Sequence, residues 1–441
     1  MSTTRRSVIA GLATTAVAAP PVFAQNPVDA RGFGLHPDPG ADQTAGFAVA
    51  CTAAAEAGLP LFLPAGTYVV GTVDLPSGLL LQGVPGATVL RFGIDGGALR
   101  ARGCSALTLD GLVLDGSVSR AAAADGLLQV DDSDGVIVSR CAVRGGRRNG
   151  IALARSAARV QDCEIAGCDE AAVFSLDGRG VAVSGCRISD CGDGGILIWR
   201  SAPGRDGSVV SGNAIARIDS RSGGNGQYGN GINVFRAGAV SITGNTVTGA
   251  QFSAIRLNAT DDCQVVGNTC LDCQEVAIFS EFGFSGSVIA NNIVDGAAQG
   301  ISITNFNEGG RLATCIGNIV RNIFPHSPVN PDTVPVGIAA EADTVISGNV
   351  VEAVPGLGIG AGWGPYLRDV VVSNNVVREV EIGIGVSVAP GAGRAVVSSN
   401  LVSAARRTAL AGLAWSDIVS DDLALEAARF PALTLSANAV G

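Results

Sequence analysis

The chain has 441 residues, 47% hydrophobic and only 5% aromatic, with 61 glycines and a formal charge of −10 that becomes −12 once Arg5 and Arg6 are set aside. Its 29 Lys-plus-Arg residues are all arginine. This excludes lysine-dependent chemistry, makes a nucleic-acid partner a poor fit for so acidic a chain, and favours short strands and tight turns over helices.

At the amino terminus Arg5-Arg6 precedes the apolar run 8–19, and Val22-Phe23-Ala24 offers small residues before a cut at Gln25. That is the pattern of an export leader occupying 1–24. The run is too short for a stable bilayer anchor, and no later stretch reaches eighteen uninterrupted apolar residues. No cysteine near the cut would carry a lipid. The paired arginines resemble the twin-arginine (Tat) signal, which implies export of the folded chain by the Tat translocase to a periplasmic or secreted location.

Residues 25–100 read as an N-terminal cap and first coils. The stretch 42–58, followed by Leu63-Pro-Ala-Gly-Thr-Tyr-Val-Val70 and Leu79-Leu-Leu-Gln-Gly83, resembles the front end of the pectate-lyase-like β-helix superfamily, which implies a capping helix, a first strand and a second strand in turn. From there 101–441 repeats itself. The motif apolar-x-x-(Asn/Cys)-x-apolar returns at Cys141, Cys163, Cys186, Asn213, Asn245, Asn268, Asn292, Asn318, Asn349, Asn375 and Asn400, with gaps of 22 to 32 residues, and again at Asn438. A second strand opening on Gly-Ile follows many rungs, as at Gly195, Gly231 and Gly300. Units this short cannot bury a core alone and must stack.

The expected fold is therefore all-β, a single-stranded right-handed parallel β-helix (a solenoid) with an N-terminal capping helix and with 421–429 covering the other end. Twelve rungs at about 4.8 Å predict a rod roughly 55 Å long. An inward asparagine at each turn would bond to the turn above, satisfying backbone groups that the bend leaves unpaired.

The helix at 42–58 with the strands after it resembles the first coil of the pectate-lyase-like β-helix superfamily. With the arginine pair and the repeats of about 23 residues, nearly the whole chain is similar to a Tat-exported β-helix repeat family, which is described by its repeats and not by a reaction. The active-site patterns of the enzymes in this superfamily are missing. There is no Gly-His-Gly or Arg-Ile-Lys of the polygalacturonase-like proteins and no Asp-Pro-His of the alginate epimerase-like ones; the only histidines are His36 and His326.

Strand alternation aims pairs of side chains outward from the Gly-Ile strand: Leu197/Trp199, Asn233/Phe235, Arg256/Asn258, Phe279/Glu281, Ser302/Thr304 and Ala339/Glu341. A strip of aromatic, amide, arginine and carboxylate groups suits a sugar polymer, because rings stack on sugar faces and polar groups bond hydroxyls and uronates. A solvated sheet face with Arg256 pairing to Glu281 is the plainer reading. Two insertions enter the same turn four coils apart, one carrying Asp219, Arg221 and Tyr228, the other His326 and Asp332, and they predict the walls of a groove.

Trp199, Tyr228, Asn233, Phe235, Asn258, Phe279 and Asn305 are the expected substrate-binding residues, and Glu281, Glu341, Arg256 and His326 the expected catalytic ones. Glu281 and Glu341 lie two coils, about 9.6 Å, apart, near the separation of carboxylates that flank a hydrolytic water. A β-elimination would instead use a base such as His326 or Tyr228 with a neutraliser for the uronate. The leading expectation is thus binding or processing of a polysaccharide (lyase, hydrolase or epimerase-like). The alternatives are an envelope or surface scaffold and a periplasmic cofactor carrier.

Eleven cysteines bear on the last of these. Cys141, Cys163 and Cys186 fall in the asparagine column and Cys168, Cys191 and Cys273 in another, while Cys270 and Cys273 form a lone C-x-x-C. Buried apolar stacks are the simplest account; column disulfides, or a metal or cluster at Cys163/Cys168/Cys186/Cys191, are the others. The patch Arg144-Gly-Gly-Arg-Arg148 is expected to pair with Asp131, Asp132 and Asp134, or to contact an anion.

Overall fold

The computed structural model describes residues 27–304 and 309–441; the expected leader at 1–24 and Asn305 lie outside the described residues. The chain winds as a parallel β-helix whose coils each carry up to three strands. The first strands of successive coils form a sixteen-stranded parallel sheet, here sheet one. The second and third strands form sheets two and three, which join into one bent network because in several coils the two strands run on without a break, as at Thr269–Glu281 and Val376–Ser387. Sixteen strands exceed the twelve rungs that the motif marks. The extra coils precede Cys141, and at the rung position they bury Leu112 and Thr88 instead of asparagine or cysteine.

Local chemistry explains the turn between sheets one and two. The residue before each rung is left-handed: Asp162, Gly185, Gly212, Gly244, Asn291 and Gly348 have φ of +54 to +67°. Glycine, asparagine and aspartate adopt that conformation most readily, hence the recurring Ser-Gly-Asn. The bend strips partners from the backbone, and the side chains restore them. Asn213 donates its backbone N–H and its Nδ2 to Oδ1 of Asn245 at 3.0 and 2.9 Å, and its Nδ2 also reaches the carbonyl of Val183 at 3.0 Å. The same bonds pass up through Asn268, Asn292, Asn318, Asn349, Asn375 and Asn400 to Asn438.

Inside the rod, equivalent residues stack, for example Ile196, Ile232, Ile255, Ile278, Ile301 and Ile338, each 0% exposed. Each such side chain contributes roughly 1.5–3 kcal/mol of burial. The N-terminal helix spans Thr44–Ala57 and buries Phe47, Ala50, Cys51 and Ala54 against the first coils. The segment expected to close the other end is a short helix, Leu423–Glu426, with a 3-10 turn, Ala427–Arg429. It is not terminal: Leu433–Ser436 and Ala439–Val440 follow as strands of one more coil. Among the described residues no helix is long and apolar enough to cross a membrane.

Candidate functional site

Strand register confirms the two outward columns of sheet three. Phe174, Leu197, Asn233, Arg256, Phe279, Ser302 and Ala339 stack in one, and Leu176, Trp199, Phe235, Asn258, Glu281 and Thr304 in the other. The expected open strip is nevertheless largely covered. Leu197, Asn233, Arg256, Glu281, Ser302 and Glu341 are all less than 9% exposed. Two insertions, 219–229 (loop one) and 324–335 (loop two), enter the same turn as expected but fold onto the sheet and cover part of it.

Loop one lies directly over Arg256. Gly226 has φ +120°, and a methyl group on it would sit 1.9 Å from Arg256 Nη1, so only glycine lets the backbone pass. Asn230 Nδ2 donates to Gly226 O at 2.9 Å, Asn233 Nδ2 donates to Gln227 O at 3.2 Å, and the Tyr228 ring stacks on Trp199. Loop two reaches two coils back. Ser327 Oγ donates to Gln274 O at 2.6 Å and Asn330 Nδ2 to Glu275 Oε1 at 2.8 Å. The loops do not wall an open groove; they converge over Arg256 and Glu275.

Beneath them is a buried ionic cluster. Arg256 Nε and Nη2 donate to the two oxygens of Glu281 at 2.6 and 3.0 Å, and Nη1 donates to Glu275 Oε2 at 3.1 Å. Asn258 Nδ2 adds a bond to Glu281 Oε1 at 2.8 Å. The three charged side chains are at most 9% exposed. Burial holds the Glu275 carboxyl above its ordinary range, with Arg256 opposing the effect. Breaking such a cluster is costly because it strands a buried charge.

The cluster corrects the expected catalytic set. Arg256 is consumed by two carboxylates and does not face a uronate. Glu281 is gripped by both sides of the Arg256 guanidinium and is buried, not open to a substrate. Glu341 does sit two coils beyond Glu281, but it is 3% exposed, with its backbone N–H bonded to Ile303 O and its carbonyl to Arg368 N–H. His326 is exposed on loop two, and the structure does not bring it to Glu281. Glu275 was missed because it falls in the bend before the third strand, where period-two counting has no purchase.

What remains accessible is chiefly aromatic, with Leu176, Asn258 and Thr304 half-buried beside the rings. Trp199 packs edge-on against Phe174 and Phe235, with ring centroids 5.4 and 6.0 Å apart, and lies 6.3 Å from Tyr228 at 29°. Asn233 Oδ1 accepts from its indole N–H at 3.2 Å, and Arg236 lies 4.6 Å over Phe235. All four rings are half-buried. Phe279 is half-buried under Arg256. Beside the base of loop one a hollow of about 390 Å³ is lined by Asp219, Ser220, Arg221, Gly249, Gln251 and Gln274. The sequence reading also missed a second ring cluster, in which Trp415 meets Trp363 and Tyr366 edge-on at 5.5 and 6.0 Å. Only the antiparallel turn-back of Asp417–Ser420 on Leu401–Ala414 brings Trp415 there, an exception to the parallel repeat. Both clusters lie at the exit of the third strand, six coils apart, roughly 29 Å.

All eleven cysteines are buried free thiols. Cys141, Cys163 and Cys186 continue the asparagine column, their Sγ atoms 3.2–3.4 Å from the carbonyls of Ser139, Gln161 and Ser184. The neighbouring Cys141 thiol and burial push Cys163 up to about 12. Cys168 and Cys191 face one another in the second column. Cys270 stacks with Val247 and Val294 but Cys273 with Ala297, so the C-x-x-C spans two columns. No metal-holding group of three or more His, Cys, Asp or Glu occurs among the described residues. The arginine patch is paired, though with partners other than those expected: Arg144 with Glu164, Arg147 with Asp169, and Arg148 with Asp125 and Glu170. Asp131, Asp132 and Asp134 pair instead with Arg102, Arg155 and Arg179. Each arginine of the patch thus pairs with a carboxylate one coil away.

A family model described as a right handed beta helix region matches residues 125–322. No curated protein matches the chain. Similar solved structures include the catalytic unit of a thermostable GH87 alpha-1,3-glucanase from Streptomyces thermodiastaticus strain HF3-3, at TM-score 0.57 and 15% identity, covering 91% of this chain and 71% of that one. A PL6 alginate lyase in complex with a trisaccharide gives 0.53 and 13%, covering 87% and 89%. The Dettilon tailspike protein gives 0.52 and 16%, covering 85% and 67%. At such identities the likeness is one of fold, and the fold is a right-handed parallel β-helix.

Proposed function

We propose that this is an exported protein that binds a polysaccharide along the exit edge of sheet three. The observation that carries the reading is the cluster of Phe174, Trp199, Tyr228 and Phe235. In a chain with 5% aromatic residues, four rings gather half-exposed at one place on an outward sheet face. Flat faces beside an exposed polar group, here Arg236, are what a sugar ring stacks on and bonds to. The second cluster at Trp363, Tyr366 and Trp415 lies along the same edge and supports an extended ligand. That an alpha-1,3-glucanase and an alginate lyase share this fold lends further support.

Binding is favoured over cleavage because the best-placed carboxylate, Glu281, and its arginine neutralise one another. Export rests on Arg5-Arg6 and the apolar run after it; replacing both arginines by lysine should retain the protein in the cytoplasm, and unchanged export would remove this part. The binding reading is tested by titrating uronate and neutral polysaccharides into the purified protein. Trp199→Ala and Phe235→Ala should each weaken binding at least tenfold with the fold intact. If no polysaccharide binds, or both variants bind as tightly as the parent, the reading is wrong.

A further inference from the structure

The outer face of sheet two changes character halfway up the rod. At the position one residue after each rung, the lower coils carry Ala142, Glu164, Arg187, Ala214, Thr246 and Thr269. The next five coils carry Ile293, Ile319, Val350, Val376 and Leu401 in strict register. Ile293, Ile319, Val350 and Leu401 are 38, 40, 37 and 46% exposed. Across the asparagine turn, sheet one adds Val288, Ile316 and Val345 at 37, 41 and 37%. Scattered aliphatic side chains need no explanation, but this is an unbroken strip roughly 19 Å tall. Its exposed apolar area is on the order of 500 Å², the size at which surface patches mark an interaction site.

Next to the aliphatic column runs a charged one that alternates in sign: Asp295, Arg321, Glu352, Arg378, again in register. Arg321 pairs with Asp295 at 2.8 Å and Arg378 with Glu352 at 2.5 Å. A parallel neighbour would set each charge against its own kind. An antiparallel neighbour, centred between Arg321 and Glu352, sets Asp295 against Arg378 and Arg321 against Glu352, and at the same time Ile319 against Val350 and Ile293 against Val376.

From this self-complementarity we infer that the face docks a second copy of this chain, antiparallel, about a two-fold axis at the level between Ile319 and Val350. Such an isologous contact uses one patch on both partners. The aliphatic strip and the charged column together approach the roughly 800 Å² per partner of a standard interface, and flat sheets pack face to face in this way.

Sedimentation velocity of the full chain should give twice the monomer mass, and Ile319→Arg with Val350→Arg should halve it with an unchanged circular dichroism spectrum. An equal mixture of Ile319→Cys and Val350→Cys proteins should form a disulfide-linked dimer on mild oxidation while neither does so alone; the native thiols are all buried and do not interfere. A monomeric parent chain overturns the inference, and so does self-linking of either single variant, which would mean parallel docking.

Discussion

Asn268 is the sharpest place to test the asparagine column, because its bonds can be counted. It is 1% exposed. Its Oδ1 accepts from the backbone N–H and the Nδ2 of Asn245, both at 2.9 Å, and its Nδ2 donates to Ile242 O and Asn292 Oδ1, both at 3.0 Å. In Asn268→Ala two of these groups keep other partners: Asn245 Nδ2 still bonds Val210 O, and Asn292 Oδ1 still accepts from the Asn268 N–H. The Ile242 carbonyl also keeps its ladder bond from Val266 N–H, so only the Asn245 N–H is left buried and unpaired. At about 1–3 kcal/mol for one orphaned buried group, the substitution costs about 1–3 kcal/mol. Asn438, part-buried at the last rung, provides the control, and Asn438→Ala should cost less than about 1 kcal/mol because water replaces the lost bonds. Hydrogen exchange is the assay of choice, since a stack of repeats need not unfold in one step. It should show loss of protection centred on residues 242–270. If Asn268→Ala matches Asn438→Ala, the column is packing and not hydrogen bonding.

Other outcomes follow from the loops, the cluster and the thiols. Gly226→Ala should unseat loop one, since a methyl group cannot share space with Arg256 Nη1; faster proteolysis within 219–229 and changed Trp199 fluorescence would report it, and an unaltered loop would contradict the close approach. The Glu275 carboxyl is raised above 4.5 in the folded state, so folding favours its protonated form, and its contribution to stability falls as pH rises from 4.5 through the raised value. Glu275→Gln should therefore lack that decline, so that variant-minus-parent stability increases across this window; parallel curves would refute the assignment. Cys163 and Cys273, both pushed up to about 12 and both buried, should not react with a thiol reagent at pH 8 until the protein unfolds. Rapid labelling of the native protein would argue against the column packing.

Much of the fold was legible because the repeat is written in residues that can do little else. Glycine, asparagine or aspartate before the rung marks a left-handed turn, and an amide after it marks a buried bond from coil to coil. The two insertions were legible as extra length. Their consequence was not: whether a loop stands away from a sheet or lies on it depends on contacts such as Gly226 with Arg256 and Asn330 with Glu275, which join residues on different coils. For the same reason Arg256 and Glu281 look like sugar ligands in a list of outward positions, yet they neutralise each other once covered.

The sequence alone determined the period, the inward and outward alternation, the asparagine and cysteine columns and the place of both loops, since these follow from backbone geometry repeated every coil. Only the tertiary structure decided which outward side chains meet water. The buried ion cluster, the two ring clusters and the partners of the arginine patch depend on the direction in which loops and hairpins leave the rod. That direction is set by long-range packing, which no local pattern encodes.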